Sequence, residues 1–252
     1  MRLGCQSITF RNATPPWPLP AALGAIAAAG FEGVELAAAS VDLAAPEGLQ
    51  ALLQAHGLQL AALHLNSGNF DPETRPQNPV DTGALRTCVR ACHVPFVLTS
   101  GTGGRPPADL ARVLNAAGRD LAAVGATLCY HNHGQELQGD ARWLADFCAA
   151  ADPDHVGLGF DLGWAVRVGA DPAALIGRFA ERIRYVHVKD TAGEAWTELG
   201  RGQVDLPAAL AAVRVLGLPW VVAEQDRCAG DPADSVRINA AYLRAWRQAT
   251  GA

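Results

Sequence analysis

Imidazole and carboxylate side chains stand at the ends of short apolar runs in the second half of this sequence. The runs are ATLCYH, HVGLGFD, RIRYVHVKD and LPWVVAE, and the side chains at or near their ends are His131, Asp161, His187 and Glu224. A charged side chain inside a protein is costly unless it is paired or bound to a metal ion. Mixed Asp, Glu and His ligands suit Mn²⁺, Zn²⁺, Co²⁺ or Mg²⁺. If these runs converge, the sequence predicts a functional site whose side chains suit a divalent metal ion.

The same runs carry further polar side chains. Three pairs are each spaced two residues apart: His131 with His133, His187 with Lys189, and Glu224 with Asp226. Residues two apart on a strand point to the same face. Two earlier runs end in the same way, with Glu35 and His64. One such residue alone is more often a hydrogen-bonded structural group, whereas several that meet at one place predict a functional site.

The elements that must position these residues repeat one pattern, an alanine-rich helical run, a glycine and a short apolar strand. The pattern occurs in the segments 27–36, 54–65, 122–131 and 214–224. A glycine just past a helix end adopts the left-handed conformation without a steric penalty. We therefore predict helix ends at Gly30, Gly57, Gly125 and Gly217.

Four more apolar runs bring the predicted strands to eight: Leu3–Phe10, Val94–Ser100, His155–Asp161 and Arg182–Asp190. Six prolines indicate helix starts, as is typical of the first helical turn: Pro20, Pro46, Pro107, Pro172, Pro207 and Pro232. Regular alternation of strand and helix predicts a parallel sheet, and eight units close a barrel. An open doubly wound sheet is disfavoured because no nucleotide-binding glycine motif follows the first strand. We predict an α/β fold, a single (β/α)8 TIM barrel domain over residues 1–252, with its chemistry at the C-terminal ends of the strands.

Length and composition agree with this prediction and exclude several classes of protein. The chain has 252 residues, of which 50% are hydrophobic, and roughly 250 residues are typical of such a barrel. The formal net charge is −5, and no run of Lys or Arg could form a basic face, so we expect no nucleic-acid partner. No apolar run approaches the roughly 18 residues of a membrane span, so we expect no membrane partner.

Two features bear on localisation. The apolar segment Leu19–Gly30 is similar to the middle of a signal peptide. It follows a predicted strand and continues the repeating pattern, so we interpret it as the first helix. The six cysteines form no C-x-x-C pair, and we interpret them as small apolar residues in a reducing compartment. We expect a cytoplasmic location.

Five stretches of the chain resemble the xylose isomerase-like barrel superfamily, the sugar phosphate isomerase/epimerase group. In order they are YHNHGQEL (130–137), DLGWAVRVGADP (161–172), RIRYVHVKD (182–190), ELGRGQVDLP (198–207) and WVVAEQD (220–226). The resemblance covers almost the whole chain and implies one divalent metal ion held by four ligands from strands five to eight. It implies Asp161, His187 and Glu224 as three of the ligands. The fourth position aligns with His131, where ketose epimerases have a glutamate.

This departure bears on the reaction that the resemblance implies. Ketose epimerases pass a proton between two glutamates on opposite faces of the substrate, and only Glu224 of that pair is present here. The Y-H-N-H form of strand five looks like branches that include inosose dehydratase-like and 3-keto-sugar lyase or hydratase-like proteins. Trp164 is a second departure, since many epimerases place a substrate-binding histidine there. An indole at this position would offer an apolar face to the C–H surface of a sugar ring, which fits a ring-form sugar or a cyclitol at least as well as an open-chain substrate.

The expected roles combine this resemblance with the chemistry of the side chains. A metal ion that polarises a carbonyl stabilises the enediolate formed when the adjacent carbon loses its proton. We expect Glu224 or His133 to act as the general base, and Lys189 to neutralise charge or to donate to a substrate oxygen. Five further residues are expected to contact the substrate: Glu35, His64, Glu136, Trp164 and Arg201. A salt bridge for Glu35, a helix cap for Glu136 and a solvated loop position for Arg201 remain open alternatives.

The leading hypothesis is a metal-dependent isomerase or epimerase of a sugar or sugar phosphate. The alternative is a metal-dependent lyase that dehydrates a keto-cyclitol or a 3-keto-sugar. An apurinic-site endonuclease shares the barrel, but it needs a basic groove, which the acidic net charge disfavours. A barrel that binds sugar without catalysis is the fourth hypothesis. In the two leading hypotheses the partner is a small sugar or cyclitol, and assembly into a homo-oligomer is an open possibility.

Overall fold

Eight parallel strands form one closed barrel. The computed structural model describes residues 1–251. Its strands are β1 (Arg2–Gln6), β2 (Gly33–Ala37), β3 (Gln59–Asn66), β4 (Phe96–Ser100), β5 (Thr127–His131), β6 (Val156–Asp161), β7 (Ile183–Val188), β8 (Asp190–Ala192), β9 (Ala195–Thr197) and β10 (Trp220–Ala223). The order around the barrel is β1-β10-β7-β6-β5-β4-β3-β2, and β8 with β9 forms a separate antiparallel hairpin. The predicted (β/α)8 barrel is confirmed.

Helices alternate with the barrel strands, as the repeating pattern predicts. Within residues 1–251 they are α1 (Ile8–Arg11), α2 (Leu19–Ala29), α3 (Pro46–Ala55), α4 (Thr82–Cys92), α5 (Pro107–Ala122), α6 (Gln138–Ala150), α7 (Leu162–Arg167), α8 (Pro172–Phe179), α9 (Leu206–Val215) and α10 (Pro232–Thr250). All six predicted prolines lie in the first turn of a helix. The four predicted glycines have φ between 62° and 90°, as expected after a helix end. Over the same residues, no helix is both long enough and apolar enough to cross a membrane.

The structure corrects the predicted bounds of two strands. The first strand ends at Gln6 rather than Phe10, because the chain turns into α1. There Phe10 is buried, with its ring centre 5.2 Å from that of Trp17. The seventh strand ends at Val188 rather than Asp190, because Asp190 begins the β8–β9 hairpin. The sequence pattern did not predict these turns. The apolar residues Ile8 and Phe10 prolong the first run, and residues 189–191 stay buried past the end of the seventh strand although they are polar.

Two apolar layers support the mouth of the barrel. A large layer lies between the strands and the helices, and a small one fills the barrel interior, with members such as Phe96, Leu98 and Trp220. Glycines make room for the bulkiest of these: a Cβ on Gly33 would collide with the Trp220 ring, and one on Gly159 with Leu98. The interior below the strand ends is therefore solid, as in a packed barrel core.

Candidate metal centre

Four buried side chains at the C-terminal ends of neighbouring strands bring their ligand atoms together. β5 ends at His131, β6 ends at Asp161, His187 lies in β7, and Glu224 directly follows β10. One ligand atom from each residue lies within 4.8 Å of those of the other three. Each of the four residues is at most 4% exposed. The closed barrel thus joins side chains that are up to 93 positions apart in the sequence (131 to 224).

The hydrogen-bonding state of this cluster fits a metal ion. Asp161 Oδ2 and Glu224 Oε2 are buried and form ion pairs with Lys189 and His187, but neither oxygen makes a hydrogen bond of suitable geometry. His187 Nδ1 lies 2.9 Å from Glu224 Oε2 and 3.0 Å from His131 Nδ1. A ring nitrogen carries either one hydrogen or one lone pair, so it cannot satisfy both neighbours. Buried polar atoms are normally satisfied, and a cation that accepts lone pairs from two imidazoles and two carboxylates would satisfy these.

Glu35 contacts the second ring nitrogen of His187. Its Oε2 lies 2.6 Å from His187 Nε2, and its Oε1 lies 2.9 Å from His64 Nδ1. His64 Nε2 in turn lies 3.1 Å from Ser100 Oγ. Histidines that bind metals usually donate their second ring N–H to a carboxylate, which orients the ring. Glu35 is fully buried, so it can orient the His187 ring through Nε2 while Nδ1 faces the other candidate ligands. His64 and Ser100 extend this series of hydrogen bonds toward the mouth.

The carboxylates around His187 control its protonation. Burial lowers the pKa of His187, but the charges of Glu35 and Glu224 outweigh it and raise this pKa well above its ordinary value. Burial raises the pKa of Glu35, but His187 and His64 outweigh it and lower this pKa to about 2. Burial raises the pKa of Asp161 to about 6 against the opposing charge of Lys189. A metal ion binds deprotonated ligands, so binding at this cluster would release the proton that His187 favours.

Lys189 is a buried cation among carboxylates. Its Nζ lies 2.8 Å from Asp226 Oδ2, 3.1 Å from Asp161 Oδ2 and 3.4 Å from Glu224 Oε1. Burial lowers the pKa of Lys189, but these three carboxylates outweigh it and raise the pKa above its ordinary range. Lys189 therefore stays protonated, which suits it to donate a hydrogen bond rather than to accept a proton.

His133 and Trp164 lie on the same side of the mouth. His133 follows β5 in the loop, with its ring centre 5.0 Å from that of His131 and 5.2 Å from that of Trp164. Both His133 and Trp164 are half-buried. Burial lowers the pKa of His133 against the opposing charge of Glu136. An imidazole that is neutral near neutral pH can accept a proton.

The structure places two predicted substrate contacts away from the four-residue cluster. Glu136 is fully buried, and its carboxylate oxygens accept hydrogen bonds from the Tyr130 hydroxyl (2.6 Å) and the His133 backbone N–H (3.0 Å). Glu136 thus holds the loop that carries His133. Arg201 is exposed, and its guanidinium pairs with Glu198 at 3.3 Å. Arg201 thus lies at the solvated loop position that the sequence left open. The alternative for Glu136, a cap of the following helix, is not what the structure shows, because α6 begins without a side-chain cap.

Several residues near the cluster were not predicted. Asn132 Oδ1 accepts a hydrogen bond from the Asp161 backbone N–H at 3.1 Å, which ties the ends of β5 and β6 together. Trp196, on the β8–β9 hairpin, contacts Trp164 with ring centres 4.9 Å apart. The one sequence signal for this hairpin is Gly193 between the short segments DTA and AWT, and Gly193 indeed has φ 59°. Strands of three residues are too short to give a periodic pattern.

The fold and the position of the cluster define a class of protein. A parallel (β/α)8 barrel with its polar residues at the C-terminal ends of the strands is the arrangement of TIM-barrel enzymes. The family model of the xylose isomerase-like TIM barrel matches residues 23–246. The chain belongs to this family, which confirms the resemblance found in its sequence motifs.

Curated relatives match the chain at low identity. The rhizopine catabolism protein MocC of Rhizobium meliloti is 27% identical over 298 residues, which cover 100% of this chain and 90% of that protein. The inosose dehydratase of Geobacillus kaustophilus is 33% identical over 97 residues, 38% of this chain and 32% of that enzyme. The inosose dehydratase of Lacticaseibacillus casei is 28% identical over 159 residues, 54% of this chain and 53% of that enzyme. The match thus spans about a third to about a half of these two dehydratases.

Solved structures share the fold. A sugar phosphate isomerase/epimerase from Parabacteroides distasonis superposes with a TM-score of 0.76 at 19% identity, covering 97% of this chain and 94% of that one. The 3-keto-D-glucoside 4-epimerase of E. coli superposes with a TM-score of 0.74 at 19% identity, covering 97% and 99%. At this level of identity the likeness establishes the barrel fold alone.

Proposed function

We propose that this protein is a metal-dependent lyase that removes water from a keto-cyclitol or a keto-sugar. The observation that carries the proposal is the asymmetry of the site. By the family resemblance, His131 stands where ketose epimerases have a glutamate, so the two-glutamate proton shuttle would lack one member. In its place the mouth offers a half-buried imidazole, His133, and a buried ammonium, Lys189. The relatives named inosose dehydratase support the same reaction class.

Each residue of the site has a role in this proposal. His131, Asp161, His187 and Glu224 would hold the metal ion. When bound, such an ion polarises a carbonyl and stabilises the enediolate that forms beside it. His131 favours a borderline ion such as Zn²⁺, Mn²⁺ or Co²⁺ over Mg²⁺, because imidazole is a softer ligand than carboxylate.

The protein residues would carry the proton through the elimination. A ring nitrogen of neutral His133 accepts the proton from the carbon next to the carbonyl, with Glu224 as the other candidate base. The electrons of that C–H bond form a carbon–carbon double bond, and the C–O bond of the β-hydroxyl breaks. The leaving hydroxyl takes the proton back from the His133 imidazolium and departs as water. Lys189 remains protonated and donates a hydrogen bond to a substrate oxygen, while the half-buried Trp164 faces the C–H surface of the ring.

A sugar isomerase or epimerase is the second candidate function. Glu224 supplies a carboxylate in the same cluster, only 4% exposed, as a second group that can carry a proton. If the proton returns to carbon instead of to the leaving hydroxyl, the product is an isomer or epimer of the substrate. Solved structures that share this fold include proteins named sugar phosphate isomerase/epimerase and 3-keto-D-glucoside 4-epimerase, so the fold is compatible with this alternative.

One experiment, with two substrates tested separately, distinguishes the two candidate functions. The Mn²⁺-loaded protein is mixed with an inosose and, separately, with a 3-keto-glucoside, and the products are analysed by mass spectrometry and ultraviolet absorption. The lyase yields a product lighter by one water that absorbs in the ultraviolet, whereas an epimerase yields a product of unchanged mass. Asp161→Asn should abolish either reaction, and Asp146→Asn, on the exposed face of α6, is the matched control. Formation of an isobaric product alone would overturn the lyase proposal in favour of the epimerase.

A further inference from the structure

Lys189 is enclosed on the side away from its carboxylates. It is the one lysine among 252 residues, and it is fully buried. Gly163, in the first turn of α7, lies against its stem: a Cβ at position 163 would approach Lys189 Cγ to 2.8 Å and Trp196 Cζ3 to 2.9 Å. The missing side chain therefore lets the α7 backbone close directly on the lysine stem and on the Trp196 indole.

Two indole rings lie next to the Lys189 ammonium. Its Nζ lies 4.5 Å from the centre of the Trp196 ring and 5.6 Å from that of Trp164. Both distances are within the range of cation–π attraction. The two rings meet at 77° with their centres 4.9 Å apart. Together they form an apolar corner, which leaves the three carboxylates as the polar partners of the ammonium.

Arg167 fixes Trp196 in this place. Its Cζ lies 3.3 Å from the centre of the Trp196 ring. Its Nε donates to Thr191 Oγ1 at 3.1 Å, and its Nη2 donates to the Glu194 carbonyl. The guanidinium therefore contacts the first strand, the turn and the second strand of the β8–β9 hairpin. Because Arg167 ends α7, these contacts tie the hairpin to the helix that follows the metal-site strand β6.

The base of the hairpin is anchored as well. The buried Asp190 carboxylate accepts hydrogen bonds from the backbone N–H groups of Gly200 (3.0 Å), Gly202 (2.9 Å) and Val204 (3.1 Å). A Cβ on Gly202 would collide with this carboxylate. Asp190 directly follows Lys189 in the chain, so the anchor fixes the backbone from which the lysine extends.

We propose that the β8–β9 hairpin is a positioning element of the active site, in which Trp196 holds the Lys189 ammonium toward its three carboxylates. A lysine stem is flexible and its ammonium is strongly hydrated, so an uncovered side chain would turn toward water. Trp196 prevents this by occupying the space into which the stem would swing. The inference rests on the proposed function in one respect, namely that Lys189 acts on a substrate oxygen.

The test measures how fast Lys189, the single lysine of the chain, is acylated. Acylation by acetic anhydride is followed by peptide mass spectrometry, in which any modified lysine is Lys189. In Trp196→Ala we expect Lys189 to react about tenfold faster than in the wild type, because a cation–π contact and a covering ring are lost. Bound Mn²⁺, measured on the same samples, should stay unchanged because all four ligands are intact. Trp246→Ala, a half-buried indole on α10, is the control and should react like the wild type.

Two further variants test the same packing and keep an aromatic ring at position 196. Gly163→Ala should also raise the Lys189 acylation rate, because its Cβ pushes the stem and the indole apart. Trp196→Phe should give a smaller increase than Trp196→Ala and carries the test if the alanine variant does not fold. A Lys189 that acylates no faster in folded Trp196 and Gly163 variants than in the wild type would overturn the proposal.

Measurements of kcat and KM distinguish a failure of the positioning role from a failure of the proposed function. On a substrate that the protein converts, Trp196→Phe should lower kcat by about tenfold with little change in KM, since the ammonium acts as the reaction proceeds rather than in binding. An unchanged kcat together with faster acylation would show that Trp196 covers the lysine without a role in the reaction, and would overturn the positioning role. If neither keto-cyclitol nor keto-sugar is converted by the wild type, the proposed function fails, whereas the acylation result still decides whether Trp196 holds Lys189.

Discussion

His131 Nδ1 and His187 Nδ1 face each other at 3.0 Å in the mouth of the barrel. Both residues are at most 1% exposed, and the second ring nitrogen of His187 is already bonded to Glu35. Two facing imidazole nitrogens can share only one hydrogen, so at least one lone pair points into the space between them. The carboxylates of Asp161 and Glu224 border the same space. The space between these four side chains is therefore where a metal ion would bind.

Removal of the metal ion should lower the thermal stability of the protein. A ligand present at 100 times its Kd adds about 2.7 kcal/mol to the free energy of unfolding. For a domain of this size, 1 kcal/mol moves Tm by roughly 2–4 °C, so chelation should lower Tm by roughly 5–10 °C. The measurement is thermal unfolding after dialysis against a chelator and again after reloading with Mn²⁺ or Zn²⁺. Asp161→Asn should show no such difference, and an equal Tm of the wild type in both conditions would contradict the metal site.

Glu35→Gln should weaken metal binding although it removes no ligand. The neutral amide is a poorer acceptor for His187 Nε2 than the carboxylate at 2.6 Å, so the His187 ring is held less firmly. Loss of such a partner typically raises the metal Kd by about 10–100-fold. A competition titration against a chromophoric chelator measures the change. Ser100→Ala, which removes the far end of the same hydrogen-bonded chain, is the matched control and should leave the Kd nearly unchanged; an equal Kd in both variants would argue against Glu35 as the support of His187.

His131→Glu should change the metal preference. A third carboxylate in place of an imidazole makes the donor set harder, so the ratio of Mn²⁺ to Zn²⁺ affinity should rise, by on the order of tenfold. The ratio is obtained from titrations of both ions under the same conditions. His131→Gln removes the imidazole without adding a charge and should weaken both ions. An unaltered ratio in the glutamate variant would mean that His131 does not contribute to the ion's coordination.

The barrel interior should not tolerate added volume. Gly33→Ala places a methyl group against the Trp220 ring, and Gly159→Ala places one against Leu98. Overpacking of this kind costs about 1–3 kcal/mol of unfolding free energy. Gly177→Ala is the matched control, because this exposed helical position in α8 has no atom within 4 Å of the added Cβ and should gain about 0.5–1 kcal/mol. Denaturant unfolding compares the three variants, and an equal effect of all of them would contradict the role of the interior glycines.

Local signals in the sequence were sufficient for the architecture of this protein. Glycines at positions such as Gly30 and Gly125 adopt positive φ for a steric reason that involves only their own backbone. Prolines such as Pro172 begin helices because their φ is preset. Polar residues such as Asp161 end apolar strands, and parallel strands bring these ends to one mouth. For this reason the barrel and a cluster of polar side chains at its mouth could be predicted together, whereas the family resemblance singled out His131, Asp161, His187 and Glu224 as the expected ligands.

The partners of the buried charges were decided by the tertiary structure. Glu35 was expected either at the substrate or in a salt bridge at the mouth, and the sequence did not indicate its partner, His187, which lies 152 positions away. Such a contact depends on the closure and register of the barrel, which no local pattern encodes. The β8–β9 hairpin was missed because its strands have three residues each. Alternation in the sequence indicates which face of a strand a side chain takes, whereas only the closed barrel determines which side chain it meets there.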